Sequence, residues 1–193
     1  MKYILASGSP RRKELLTQMG ITEFDVIISD VEETTKETLP QNVVSDLSRQ
    51  KCNAVADALT ITEPTIVIAA DTVVAYQDQI LGKPQNEEDA FQMLSHLSGH
   101  THSVFTGVSL MLLTPEKETK KDSFYVETKV KMRAFTEEEI RTYIQTGEPM
   151  DKAGSYGIQG RGAILVEQVT GDYNNVVGLP ITRLYEALCS MFR

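Results

Sequence analysis

Strand-like and helix-like stretches alternate along this chain, and at least one pair of strands is antiparallel, which predicts an α/β protein built on a mixed sheet. Three observations carry that expectation. Thr65-Ile66-Val67-Ile68-Ala69-Ala70 is a β-branched apolar run of strand length, read as a buried strand. Glu87 to Leu97 reads as a helix closed by Gly99. Val104, Thr106, Val108, Leu110 and Leu112 alternate with their neighbours, as do Phe124, Val126, Thr128, Val130 and Met132. With Pro115 to Asp122 as a charged, solvated turn, they form a long hairpin.

The remaining elements follow in order. Tyr3-Ile4-Leu5-Ala6 is a short buried strand broken by Ser7-Gly8-Ser9. Pro10 opens a helix with Leu15, Leu16 and Met19 on one face, and Gly20 ends it. Phe24 to Ile28 is a second strand. A longer helix after Pro40 carries Val43, Val44, Leu47, Val55 and Leu59. The apolar strand from Thr65 ends at Asp71-Thr72. Thr136 and Glu139 form a capping box for a helix that stops near Gly147. A glycine-rich loop, a strand over Ala163 to Gln168 and a helix from Pro180 complete the chain.

The 193 residues read as one domain spanning 1–193, since no repeat, low-complexity tract or linker divides them. Nineteen basic residues against twenty-seven acidic ones give a net charge of −8, which argues against a nucleic-acid coat protein. A local anion site remains compatible with that charge, because surface charges beyond about 8 Å are screened. Cys52 and Cys189 do not make a disulfide framework. No run approaches the ~20 apolar residues of a membrane span, and the opening turns basic too early for a secretory signal. A soluble, cytoplasmic chain without membrane or nucleic-acid partners is expected.

Four segments bear on chemistry. In Ser7-Gly8-Ser9-Pro10-Arg11-Arg12-Lys13, glycine lets the backbone approach a ligand and the helix N-terminus favours an anion. Capping accounts for Ser9 and Pro10. Three consecutive cations at the positive end of a helix dipole oppose helix stability, and that conflict favours phosphate binding. Asp71 at the end of its strand suits a general base or metal ligand, and equally a turn former. Asp30, Glu32 and Glu33 suit Mg²⁺, which takes one or two carboxylates plus substrate phosphates, although acidic loops are usually just solvated. Asp151 to Gly160 offers glycines beside Ser155, Tyr156 and Gln159, as a ligand-approaching or a plain flexible loop. Lys51 reads as a helix-surface lysine, whereas Lys83 sits in the rigid turn Leu81-Gly82-Lys83-Pro84.

Several chemistries are excluded. No Walker loop occurs, since Gly82-Lys83 is followed by Pro84. Gly157 to Gly162 has the wrong glycine spacing for a dinucleotide fingerprint. No Gly-x-Ser-x-Gly elbow supports Ser-His-Asp catalysis. Gly99 separates His96 from His100 and His102, and no Cys or Glu completes a zinc spacing.

Taken in order, Ser7-Gly8-Ser9-Pro10-Arg11-Arg12, Ala70-Asp71-Thr72, Gly82-Lys83-Pro84, Asp151-Lys152-Ala153-Gly154 and Gly178-Leu179-Pro180 resemble the Maf family of nucleotide pyrophosphatases. The resemblance implies an inosine-triphosphate-pyrophosphatase-like fold, a long, strongly twisted mixed sheet whose two lobes enclose a cleft. It implies cleavage of a nucleoside triphosphate between its α and β phosphates, with a divalent metal, Mg²⁺ or Mn²⁺. Asp71 matches the family's general base. Ser7, Ser9, Arg11, Arg12, Lys51 and Lys83 are the implied phosphate contacts, and Glu32 with Asp71 the implied metal ligands. Arg11, Thr72 and Gln159 match the dTTP/UTP branch, with a possible homodimer and a role in clearing non-standard nucleotides or influencing cell division. A nucleotide-binding regulator of septum formation and a 7-methyl-GTP pyrophosphatase are the alternatives.

Overall fold

The computed structural model describes residues 1–116 and 119–192. Its strands are β1 (Lys2–Leu5), β2 (Asp25–Val26), β3 (Thr65–Tyr76), β4 (Gln79–Leu81), β5 (Thr101–Leu113), β6 (Thr119–Met132) and β7 (Val166–Thr170). Its helices are α1 (Pro10–Gln18), α2 (Pro40–Asp57), α3 (Glu87–Leu97), α4 (Glu137–Ile144), α5 (Tyr173–Val177) and α6 (Ile181–Met191). The strand order is β2-β1-β3-β5-β6-β7, with β4 on β3. β1 runs parallel to β2 and β3, whereas β4 and β7 are antiparallel to β3 and β6, so the sheet is mixed as expected.

Two compact units share the chain, and β3, β5 and β6 pass from one to the other. The first comprises 1–71, 106–126 and 178–193; the second comprises 72–105 and 127–177. In the first, Cys52, Val55 and Ala56 of α2 pack with Ile4, Ala6, Val67, Ala69 and Met111 of the sheet. In the second, Leu94 and Leu97 of α3 and Ile140, Tyr143 and Ile144 of α4 pack with Val74, Val104, Val130 and Met132. Fully burying a side chain of this kind is worth about 1.5–3 kcal/mol, so each unit carries its own core.

Several boundaries differ from expectation. β3 does not stop at Asp71 but continues to Tyr76 and turns back through Gln77 and Asp78, both at positive φ, into β4. A two-residue primed turn normally advertises itself with glycine, and none stands at 77 or 78. β5 is buried on both faces from Val104 to Met111 rather than alternating, because it lies inside the sheet between β3 and β6. The turn drawn over Pro115 to Asp122 is shorter, since β6 already begins at Thr119; Lys117 and Glu118 lie outside the described residues. β2 shrinks to Asp25–Val26. The strand expected over Ala163 to Gln168 begins only at Val166, after a 3-10 segment at Gly160–Leu165. The Thr136/Glu139 capping box is present as expected.

Candidate active site

In the first unit, Ser7 follows β1 and is buried. Its Oγ accepts from the Ser9 N–H at 3.3 Å and from the Arg12 guanidinium at 3.1 Å. Ser9 occupies the N-cap position of α1, but its side chain makes no capping hydrogen bond, so the expected hydroxyl cap is absent. Proline at the helix start removes one of the donors a cap would serve. Arg12 turns back from the helix: its Nε donates to the Gly178 carbonyl at 2.9 Å. That bond ties Ser7-to-Arg12 to Gly178-Leu179-Pro180, two motifs at opposite ends of the chain. Burial lowers the proton affinity of this guanidinium, Asp71 opposes the shift, Arg11 adds to it and Glu33 opposes it. A half-buried arginine beside two carboxylates is an electrostatic centre, not a surface decoration.

Lys51 is not the surface lysine its helix position suggested. Val44, Ser48, Cys52 and Val55 bury one stripe of α2. Lys51 flanks that stripe with its side chain only 12% exposed. Its Nζ donates to Asp71 Oδ1 at 2.7 Å and lies 2.8 Å from Glu33 Oε2. Asp71 is itself buried, and stands within β3 rather than at its carboxyl end. The chain Ser7–Arg12 and the bridge Asp71–Lys51–Glu33 therefore alternate anion acceptors with cations inside one unit. Glu32 is exposed, and its carboxylate takes no part in these contacts; the neighbouring Glu33 does. Sequence reasoning singled out the acidic loop but not the member that reaches Lys51, because nothing local fixes which of two adjacent side chains turns inward.

Among the described residues no three His, Cys, Asp or Glu side chains form a metal cage. The three histidines are placed otherwise. His102 is buried, its Nε2 2.7 Å from the Tyr156 hydroxyl, and burial lowers its pKa to about 4. His100 packs against the Tyr76 ring at 5.4 Å. His96 ends α3.

The second unit holds Thr72, Lys83 and Gln159. Thr72 is half-buried in β3, next in sequence to Asp71. Lys83 is exposed on the turn after β4, and the Gly82 carbonyl accepts from the Gly154 N–H at 3.0 Å. This bond joins Gly82-Lys83-Pro84 to Asp151-Lys152-Ala153-Gly154, and buried Pro84 stiffens the turn as the sequence suggested. Gln159 is exposed at the start of the 3-10 segment. Its loop is held by residues the sequence did not announce. Glu148 accepts from Tyr143 Oη at 2.9 Å and from the N–H groups of Arg161 and Gly162 at 2.9 and 3.0 Å. Tyr143 Oη accepts from the Gly157 N–H at 3.1 Å.

Comparison with known proteins agrees with these motifs. Residues 2–191 match the family model described as Maf-like protein. A protein of Agathobacter rectalis named dTTP/UTP pyrophosphatase is 54% identical over 97% of this chain and 96% of its own length. Proteins of the same name from Lachnoclostridium phytofermentans and Bacillus cytotoxicus are 51% and 52% identical, over 96% and 97% of this chain and 92% and 94% of theirs. Among solved structures, the Staphylococcus aureus Ham1 protein aligns over the full length of both chains at 16% identity with a TM-score of 0.45. No helix among the described residues is long and apolar enough to cross a membrane. With the motif order, the near-complete family match and relatives at half identity in agreement, this chain belongs to the Maf-like protein family.

Proposed function

We propose that this protein hydrolyses dTTP and UTP to the nucleoside monophosphate and pyrophosphate. The observation that carries the reading is Lys51 Nζ joined to both Asp71 and Glu33, in the unit where half-buried Arg12 donates to Ser7. The names of relatives at about half identity give the substrate class.

Phosphoryl transfer asks a protein for positioned charge more than for covalent chemistry. Ser7, Ser9, Arg11, Arg12, Lys51 and Lys83 are the phosphate contacts in this reading. Charge-assisted hydrogen bonds of this kind contribute roughly 1.5–3 kcal/mol each, enough for a few of them to hold a triphosphate on a molecule of net charge −8. Lys51 holds Asp71 through Oδ1, which leaves Oδ2 to orient a water and take its proton. The water oxygen bonds to the α-phosphorus. The bond from that phosphorus to the bridging oxygen breaks, and pyrophosphate leaves with the electron pair. Thr72, Gln159 and Arg11 are assigned to the pyrimidine base and its selection.

A divalent cation fits the donor set. Asp71 Oδ1 and Glu33 Oε2 both lie within 3 Å of one nitrogen, so the side chains already converge on a single positive charge. Two carboxylates completed by phosphate oxygens and water suit Mg²⁺ or Mn²⁺, and we assign Glu33 with Asp71 to that role in place of Glu32. Such an ion would neutralise phosphate charge and acidify bound water.

A panel of nucleoside triphosphates with Mg²⁺ or Mn²⁺, scored separately for pyrophosphate and orthophosphate, tests the proposal. Pyrophosphate in catalytic amount from dTTP and UTP is the expected result. Stoichiometric release would favour a nucleotide-binding regulator, and preference for 7-methyl-GTP would overturn the substrate assignment.

A further inference from the structure

The glycine-rich loop 157–162 carries Gln159, and its glycines serve the protein's own side chains. A Cβ on Gly160, which sits at φ +70°, would stand 2.7 Å from the Glu148 carboxylate. A Cβ on Gly162 would lie 2.4 Å from the Gly157 carbonyl oxygen and 2.5 Å from Tyr143 Oη. The backbone therefore closes around Glu148 and Tyr143 more tightly than any other residue type permits. Oε1 of Glu148 takes Tyr143 Oη and the Gly162 N–H, Oε2 takes the Arg161 N–H, and Tyr143 Oη takes the Gly157 N–H. These bonds bracket Gln159 on both sides. Glu148 is anchored in turn: its own N–H donates to Thr146 Oγ1 at 3.2 Å, and Lys152 Nζ donates to its carbonyl at 2.6 Å.

We propose that Glu148 is a positioning residue that sets nucleotide selectivity by fixing the loop that presents Gln159. The inference rests on the assignment of Gln159 to the base. Nothing in the loop itself holds Gln159 in place, since it is exposed and its side chain has no hydrogen bond among the described residues. The carboxylate has acceptors only, so it satisfies two backbone donors and a phenol at once. Burial opposes its ionisation, but the N–H groups of Arg161 and Gly162, the Tyr143 hydroxyl and Lys152 outweigh burial and keep its pKa below the usual glutamate value. Replacement by glutamine keeps the shape but turns one acceptor into a donor. Either amide orientation then leaves a donor facing a backbone N–H. A selectivity element displaced by a fraction of an ångström loses discrimination before it loses the fold.

The test compares kcat/KM for dTTP, UTP and dCTP in the unaltered protein, Glu148→Gln, Tyr143→Phe and Gln159→Ala, alongside thermal unfolding and hydrogen exchange at Arg161 and Gly162. Glu148→Gln is expected to lower the dTTP-to-dCTP ratio about tenfold, raise KM more than it lowers kcat and speed exchange at both amides. Tyr143→Phe, which keeps the ring and removes the hydroxyl that donates to Glu148 and accepts from the Gly157 N–H, shifts the ratio in the same direction by less and keeps the proposal testable if Glu148→Gln does not fold. A ratio shifted by Gln159→Ala but unmoved by the Glu148 and Tyr143 variants overturns this inference alone, whatever happens to stability. A ratio unmoved by Gln159→Ala overturns the base assignment and this inference with it. No cleavage of dTTP or UTP by the unaltered chain overturns the function itself.

Discussion

The two units hold their polar groups in opposite ways. In the first, Arg12, Lys51, Asp71 and Glu33 face one another as charges on side chains drawn from α1, α2, β3 and the loop after β2. In the second, one carboxylate, Glu148, and one phenol, Tyr143, spend their hydrogen bonds on backbone N–H groups within a short stretch of chain. The first arrangement keeps its cations on side chains, which can exchange one anion for another. The second fixes a loop. Chemistry and positioning are thus built from different materials: long-range ion pairs for one, local backbone bonds for the other.

The contrast breaks first at Lys51. Lys51→Met removes the cation shared by Asp71 and Glu33 while keeping the stem length. It is expected to lower kcat/KM for dTTP by about 10²–10³-fold, the usual effect of deleting one charge-stabilising donor, as measured by steady-state pyrophosphate release. In the second unit the corresponding effect falls on stability. Gly162→Ala places a methyl group against the Gly157 carbonyl and Tyr143, and is expected to cost about 2–3 kcal/mol in urea unfolding.

Acid should sharpen the same division. His102 is buried with its pKa lowered to about 4, so the folded state resists a proton that the unfolded chain accepts near pH 6.5. Stability is therefore complete above pH 6.5 and declines as pH falls toward 4, by roughly 2–3 kcal/mol. Glu148, whose folded pKa is depressed, contributes stability that is present above the unfolded glutamate value and lost as pH falls through the folded one. Urea midpoints at pH 7 and pH 5 in the unaltered protein and His102→Gln measure the first effect, and the variant should lose most of the slope between them.

Much of this was legible in sequence because it is local. α3 is read to the residue, the Thr136–Glu139 box is a spacing, and Pro84 beside Lys83 announces a stiff turn. What escaped was set by partners elsewhere in the chain. Asp71 looks like the end of a strand until β4 pairs with the continuation of β3. Lys51 looks like a surface residue until Asp71 and Glu33 meet it. Glu33 and Glu32 cannot be told apart by type, only by which one reaches α2. Glu148 carries no motif, yet it accounts for Gly162 and for Gly160, the last glycine of the segment read as a ligand-approaching or flexible loop. Asn175, which no motif in the sequence marks, is buried and donates to the Val104 carbonyl and Thr128 Oγ1.

The central claim is that Asp71 performs the proton transfer. Turnover and dTTP affinity of Asp71→Asn, measured side by side by pyrophosphate release and calorimetric titration, test it most directly. The account predicts that kcat falls by about 10²–10⁴-fold while affinity stays within a few-fold of the unaltered protein. Turnover that survives the substitution would contradict it.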